Sequence, residues 1–387
     1  MEESEIVERI LGLAEKREPD QLLETTAASV HGELYDAAAE AFGGWDAALA
    51  AALCASVAAD RESEGAAGDE RIVRSVGPEA RHPIFVATEA SAVFKIEPGT
   101  ELSVTPEPTL LETPPGSGPV SHIHHVGEPE GLVFFSNAGH YYALDPRMVP
   151  KWKGSEEIRQ LSNVLGLEES EVLGHVVPRR AFYGGRIVHV TEGGKGKASE
   201  AAEFQYAMDH EARVAFKLKE DDRPVAVMSV PEETGIFAAS AHGRGIHFPD
   251  DELRSMGQRA IGVNVMDLDG ETDAVVGAFP AQRIDQVAVV TEQGLGKRVD
   301  FSDFRQQGRA GAGMQLARLN RDDYVAGVAP CRPSDDIAVT TDRGRVHRRP
   351  AGDFPFMGRP AKGNPVVDLA EGEEILEFTR LPCSTEG

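Results

Sequence analysis

Apolar positions in this chain come in two rhythms. Near the start, Leu34, Ala38, Phe42, Trp45 and Leu49 fall three to four residues apart, the spacing of one apolar stripe along a helix. That spacing, with the stretches 4–17 and 19–30, predicts a small helical module over residues 1–60, interrupted at Gly43 and Gly44. From residue 81 onward the rhythm shortens to alternation, which predicts strands that bury one face. The acidic stretch "DRESEGAAGDE" reads as a flexible linker, placed at 61–80. Ile158, Leu161, Val164 and Leu165 interrupt the strand pattern at helical spacing and predict one short surface helix.

The strand region repeats itself. "GIFAASAHGRGIHFPDDELRSMGQRAIGVNVMDL", "QVAVVTEQGLGKRVDFSDFRQQGRAGAGMQLARL" and "DIAVTTDRGRVHRRPAGDFPFMGRPAKGNPVVDL" share one plan: a short strand, a turn glycine, a second strand with basic residues and a loop closed by another glycine. The turn glycines are Gly243, Gly294 and Gly344; the loop glycines Gly262, Gly313 and Gly363 follow 19 residues later in each case. Weaker copies place turn positions at Gly194, Gly139 and Ser91, so six units of about 50 residues fill 81–387. A hairpin of this size cannot bury its face alone. The expected fold is therefore mainly β, a six-bladed propeller-like disc of four-stranded units preceded by the helical module; an open β solenoid is the alternative.

The last three units resemble the C-terminal β-pinwheel of DNA gyrase A and of its topoisomerase IV counterpart. The stretches that carry the resemblance are "GRGIHFPDDELRSMGQRAIGV", "TEQGLGKRVDFSDFRQQGRAGAG" and "TDRGRVHRRP". In that family the pinwheel's basic rim wraps duplex DNA. The resemblance implies DNA contacts at Lys195, Lys197 and Arg213 in unit three, and at Arg244, Arg254 and Arg259 in unit four. It implies Lys297, Arg298, Arg305, Gln307, Arg309, Gly311 and Gly313 in unit five, and Arg345, Arg348, Arg349, Arg359 and Lys362 in unit six. The family's wrapping heptad, Q-R-R-G-G-K-G, belongs in the first blade, and residues 97–126 do not match it; "QGRAGAG" at 307–313 keeps only part of it. Binding with a modest bend is expected rather than tight wrapping. The family's nucleophilic tyrosine follows an arginine, and none of the six tyrosines here does. A stand-alone pinwheel without the cleavage core, not an enzyme, is the expectation, alone or beside a type IIA topoisomerase or another nucleoid protein.

Charge complicates this picture. Asp and Glu number 64 against 39 Lys and Arg, a formal net charge of -25, so the overall field repels a polyanion. Acid excess with scarce lysine suits a surface adapted to strong salt, or simply a GC-rich genome; in strong salt screening shortens from about 10 Å at 0.1 M to about 3 Å at 1 M. Two readings of the basic residues stay open: a phosphate-binding edge, or solvated hairpin faces paired with Asp250, Asp251, Asp300, Asp303 and Asp353. A protein-interaction propeller is the corresponding alternative function. Cys54, Cys331 and Cys383 have no CxxC spacing, the N-terminus is acidic and no run suits a membrane, so a cytoplasmic, nucleoid-associated protein without cofactor is expected. His122 and His124 share a strand face without a nearby carboxylate or cysteine, and "GGKGK" at 193–197 reads as a hairpin turn. "FGGWDAAL" resembles small helical repeats that accompany homing endonucleases, or is an ordinary helical hairpin around Trp45.

Overall fold

The computed structural model describes residues 84–88, 92–96, 120–125, 131–152, 165–168, 170–182, 185–204 and 212–381. All belong to one compact unit, Ile72–Gly387. The expected helical module at 1–60, the linker at 61–80 and, apart from Leu165, the expected helix at 158–165 lie outside the described residues. No helix among the described residues is long and apolar enough to cross a membrane.

Among the described residues six antiparallel sheets follow one another along the chain, and each takes its three longer strands from one unit. Blade 1 holds Ile84–Thr88, Val93–Ile96 and Val120–His125; blade 2 holds Leu132–Ser136, His140–Leu144 and Leu173–Pro178. Blade 3 holds Arg186–Thr191, Lys195–Glu200 and Pro224–Val230; blade 4 holds Gly235–Ser240, Arg244–Pro249 and Val275–Ala281. Blade 5 holds Gln286–Thr291, Leu295–Asp300 and Val325–Cys331; blade 6 holds Asp336–Thr341, Val346–Pro350 and Ile375–Leu381. In every blade the first strand lies between the third and the second. The third strands touch one another all the way round, that of blade 6 meeting that of blade 1, so they line the axis of a closed ring.

The outermost strand of a blade is not its own. Arg213–Val214 of unit three completes blade 2, Val263–Asn264 of unit four completes blade 3, Met314–Gln315 completes blade 4 and Asn364–Pro365 completes blade 5. Blades 2 to 5 are four-stranded, as expected, and their fourth strand is lent: units three to six each give two residues to the blade before them. Blade 1 is joined by unit two in a reduced form, through Lys95 N to Pro150 O at 2.8 Å and Trp152 N to Lys95 O at 2.9 Å. The loop glycines mark the exchange. Gly363, at φ +93°, lies so close over the preceding blade that a Cβ would sit 2.7 Å from Gly296 O, and its left-handed backbone is open to glycine at little cost.

Packing explains why the first strands read as near-continuous apolar runs. Ile236 and Ala238 join the core shared with blade 3, while Phe237 and Ala239 join the core shared with blade 5. The alternation is intact, but both faces are buried, because a blade has a neighbour on each side. Among the described residues there are six such interblade cores. The last, with Val86, Phe94 and Trp152 against Ala338 and Val346, closes the ring between blades 6 and 1.

A carboxylate anchors each hairpin turn of blades 2 to 6. The first strand ends in Ser or Thr, where its register with the third strand shifts, and an acid just before the third strand reaches back to the turn. Ser136 Oγ donates to Glu171 at 2.5 Å, Thr191 Oγ1 to Asp222 at 2.7 Å and Thr341 Oγ1 to Glu373 at 2.6 Å. Asp273 accepts from His242 N at 2.9 Å and Asp323 from Gln293 N at 3.2 Å. Desolvation is the largest influence on Glu171 and would raise it. Hydrogen bonds from Ser136, His140 and Tyr142 outweigh that effect and hold the carboxyl below its ordinary value.

Replacing Thr341 by Val removes the hydroxyl that donates to Glu373 and accepts from Arg345 N at 3.2 Å. Loss of a donor to a buried carboxylate is expected to cost about 1–3 kcal/mol. The check is a urea titration, with a lower midpoint and an unchanged slope expected; an unmoved midpoint would count against the anchor.

Candidate nucleic-acid interface

The basic loops of units four, five and six cross the outer edge of the preceding blade before the strand is lent. Met256 N binds Ala198 O at 2.9 Å, and Arg298 exchanges bonds with Pro355 O and Met357 N, both at 2.9 Å. The loops at 254–262, 305–313 and 355–363 therefore lie along one edge of the ring, over blades 3, 4 and 5.

The cations expected to meet phosphate divide into three groups. Arg244, Arg254, Arg259 and Arg305 are exposed, and no ion pair or side-chain hydrogen bond engages them among the described residues. Arg349 is half-buried and likewise unpaired. Lys195 and Lys362 reach only neutral partners, Asn264 and, at 2.5 Å, Asn320. Arg213 is half-buried beside Tyr141.

A second group is committed to the protein but near its surface. Arg345 pairs with Glu373 at 3.2 Å, and Arg348 pairs with Asp336. Arg309 Nη1 binds Asn264 O at 3.0 Å; its counterpart Arg359 binds Gln315 O at 3.2 Å and lies over the Phe304 ring, 5.6 Å from its centroid. Gln307 holds the edge through its backbone N to His247 O at 2.8 Å, Gly311 O accepts from Asp267 N at 3.0 Å, and Gly313 packs on Gly245.

The third group is interior, a correction to its expected place on the rim. Lys197 and Lys297 are each 1% exposed and Arg298 is 8% exposed. Three residues past the turn glycine, the second strand faces the cleft beneath the next unit's loop, and a lysine stem fills it. Lys297 Nζ donates to Gly358 O at 3.1 Å, Arg359 O at 2.6 Å and Ala361 O at 2.9 Å; Lys197 Nζ donates to Gly257 O at 3.0 Å and Ala215 O at 3.2 Å. Arg298 binds Phe354 O at 2.8 Å, Gln286 Oε1 at 2.7 Å and Gly352 O at 3.3 Å. Desolvation pushes both lysines down to about 8, and the Arg359 guanidinium adds to the effect at Lys297. At neutral pH both remain largely ammonium.

His122 and His124 do share a face, with ring centroids 6.0 Å apart. They turn to the ring's axis, where His175 of blade 2 stands 5.4 Å from His122. Burial lowers all three, keeping the imidazoles neutral.

Residues 236–282, 285–332 and 335–380, which are blades 4, 5 and 6, match the family described as DNA gyrase C-terminal domain, beta-propeller. Blades 4 to 6 are thus similar to the DNA gyrase A C-terminal domain. Over 204 residues the chain is 30% identical to the DNA gyrase A protein of Staphylococcus aureus (strain NCTC 8325 / PS 47), covering 52% of this chain and 23% of the relative. The protein of strain MRSA252 is 29% identical over the same length. The chain thus spans under a quarter of the curated relatives it matches, and their catalytic core is not matched. Among solved structures, the C-terminal domain of DNA topoisomerase IV superposes with a TM-score of 0.63 at 20% identity, covering 77% of this chain and 92% of that one. A DNA gyrase A C-terminal domain superposes at 0.66 and 16%, covering 78% and 100%. These two share the fold.

In this gyrase-type pinwheel the sequence reading missed two kinds of residue. Glu252 was absent from it, yet its carboxylate accepts from Arg309 N at 2.7 Å. The turn-anchoring acids were also absent. Their signal is legible as Ser or Thr three residues before the turn glycine, with Asp or Glu 31–35 residues further on.

Lys297 supplies a pH test. Its folded value, about 8, lies below the ordinary 10.5, so between these values the unfolded chain holds more protons and stability rises with pH. Relative to Lys297→Met, the wild-type protein is expected to gain stability from pH 7.5 to 9.5, measured as the difference in urea midpoints. A difference that stays constant or shrinks would place the lysine outside the buried cleft.

Proposed function

We propose that the outer edge of this pinwheel binds duplex DNA through its phosphates, with little sequence preference, and bends it. The observation that carries the reading is the run of unpaired, exposed guanidinium groups at Arg244, Arg254, Arg259 and Arg305, on the loops and second strand of one edge of a gyrase-type ring. Cations that neutralise phosphates release condensed counterions, and such contacts position DNA without reading bases. Curving a 20–30 bp site by 40–90° costs about 1–6 kcal/mol, which several contacts spread over successive blades can offset. The protein acts as a non-catalytic, nucleoid-associated architectural element or beside a type IIA topoisomerase in the cytoplasm.

A second reading is an interaction propeller that does not bind DNA. What favours it is the capture of other edge cations by acids: Arg186 with Asp250, Arg348 with Asp336, and Arg345 with Glu373. One cleft is also acid-rich, with Glu232, Glu233, Asp250 and Asp251 beside Arg186.

Titration of a fluorescent duplex across a salt series separates the two. DNA binding with a steep salt slope is expected, and no binding near 0.1 M salt favours the interaction reading. Replacing Arg254 and Arg305 by Ala is expected to weaken binding equally on unrelated sequences and to reduce the salt slope by about one per lost phosphate contact.

A further inference from the structure

The buried lysines do more than fill a cleft. In a trans peptide the C=O of one residue and the N–H of the next point in opposite directions. Lys297 draws Gly358 O and Ala361 O inward, so the N–H groups of Arg359 and Lys362 turn away from it, on a loop where Gly358 and Lys362 are exposed. Lys197 draws Gly257 O inward in the same manner and turns out the N–H of Gln258. These three N–H groups meet no acceptor among the described residues. Each peptide dipole thus has its negative end on a buried ammonium and its positive end outward, an arrangement that favours an anion.

The intervening loop carries the independent observation. Its residue aligned with Gln258 and Arg359 is Arg309, each following the glycine of its loop: Gly257, Gly308 and Gly358. There Ile246 stands where blades 3 and 5 have Lys197 and Lys297, and the Arg309 N–H is occupied by an oxyanion, the carboxylate of Glu252 at 2.7 Å. The same amide position holds a carboxylate over blade 4 and is open over blades 3 and 5, where the acids at the position of Glu252, which are Glu203 and Asp303, do not reach it.

We infer that the backbone N–H groups of Gln258 and of Arg359 with Lys362 are phosphate seats, backed by the interior lysines, and that Glu252 fills the equivalent seat over blade 4 as an internal mimic of phosphate. This inference rests on the DNA-binding reading and gives Lys197 and Lys297 a role in it: they are positioning residues that act on phosphate through the loop and do not touch it. The ligand is a phosphodiester of duplex DNA, bound through oxygen atoms that any nucleotide presents.

The test compares the wild-type protein, Lys297→Met, Glu252→Ala and Asp251→Ala, titrating each with a fluorescent random-sequence duplex over a salt series and checking folding by thermal melting. Lys297→Met is expected to lower affinity severalfold and the salt slope by about one, although the side chain is buried. Glu252→Ala is expected to raise affinity and slope more than Asp251→Ala, which removes a neighbouring exposed charge that occupies no amide. Hydrogen exchange at 356–363 is expected to slow on DNA addition in the wild-type protein and not in Lys297→Met. Wild-type binding with Lys297→Met unchanged, or with Glu252→Ala indistinguishable from Asp251→Ala, overturns the seats and leaves the DNA reading standing. Failure of the wild-type protein to bind overturns both. Should Lys297→Met not fold, the comparison of the two acid variants decides.

Discussion

Among the described residues no blade of this ring has a core of its own. Each first strand divides its side chains between two neighbours, Ile236 and Ala238 to one side and Phe237 and Ala239 to the other. Apolar burial is the dominant favourable term in folding, and here nearly all of it is realised between units. Closure meets this constraint: the outer face of blade 6 is covered by blade 1, with Ala338 and Val346 against Val86 and Phe94. The lent outer strands add a second dependence on the next unit, through main-chain bonds at the perimeter.

Charge is apportioned by the same geometry. An excess of 64 acids over 39 bases invites the view of a uniformly negative surface. Glu171, Asp222, Asp273, Asp323 and Glu373 instead anchor turns, at mostly buried positions, and Asp250 and Asp336 are bound to arginines. Bases are apportioned too: two lysines and Arg298 serve carbonyl oxygens beneath the loops. What the edge offers a polyanion is therefore decided residue by residue, and net charge does not describe it.

Much of the fold was legible because the repeat is itself a physical record. A turn needing positive φ kept glycine at 194, 243, 294 and 344, and the close approach of loop to blade kept it at 262, 313 and 363. Strand exchange was not legible. A loop that returns to its own hairpin and one that crosses to the previous blade have the same local pattern, and the difference lies in contacts about 60 residues apart, such as Lys297 with Gly358. The site was read by residue type, which finds cations but not their direction. Lys195 and Lys197 differ by two positions on one strand, and both were expected on the rim; one reaches an edge asparagine and the other is enclosed. Glu252 escaped notice because an acid in a basic loop region reads as a neighbour to be screened, not as an occupant of a main-chain N–H.

The lending of outer strands also bears on how the molecule resists damage and load. A backbone cut between Gly257 and Gly262 would sever no blade from the ring, since the residues on either side are tied to blade 3 by Ala198, Gly196 and Lys195. Force applied to one loop passes into the adjacent sheet before it reaches the loop's own hairpin. The perimeter behaves as an interlinked belt whose segments share tension, so strain from a curved partner would spread around the ring rather than gather at one blade.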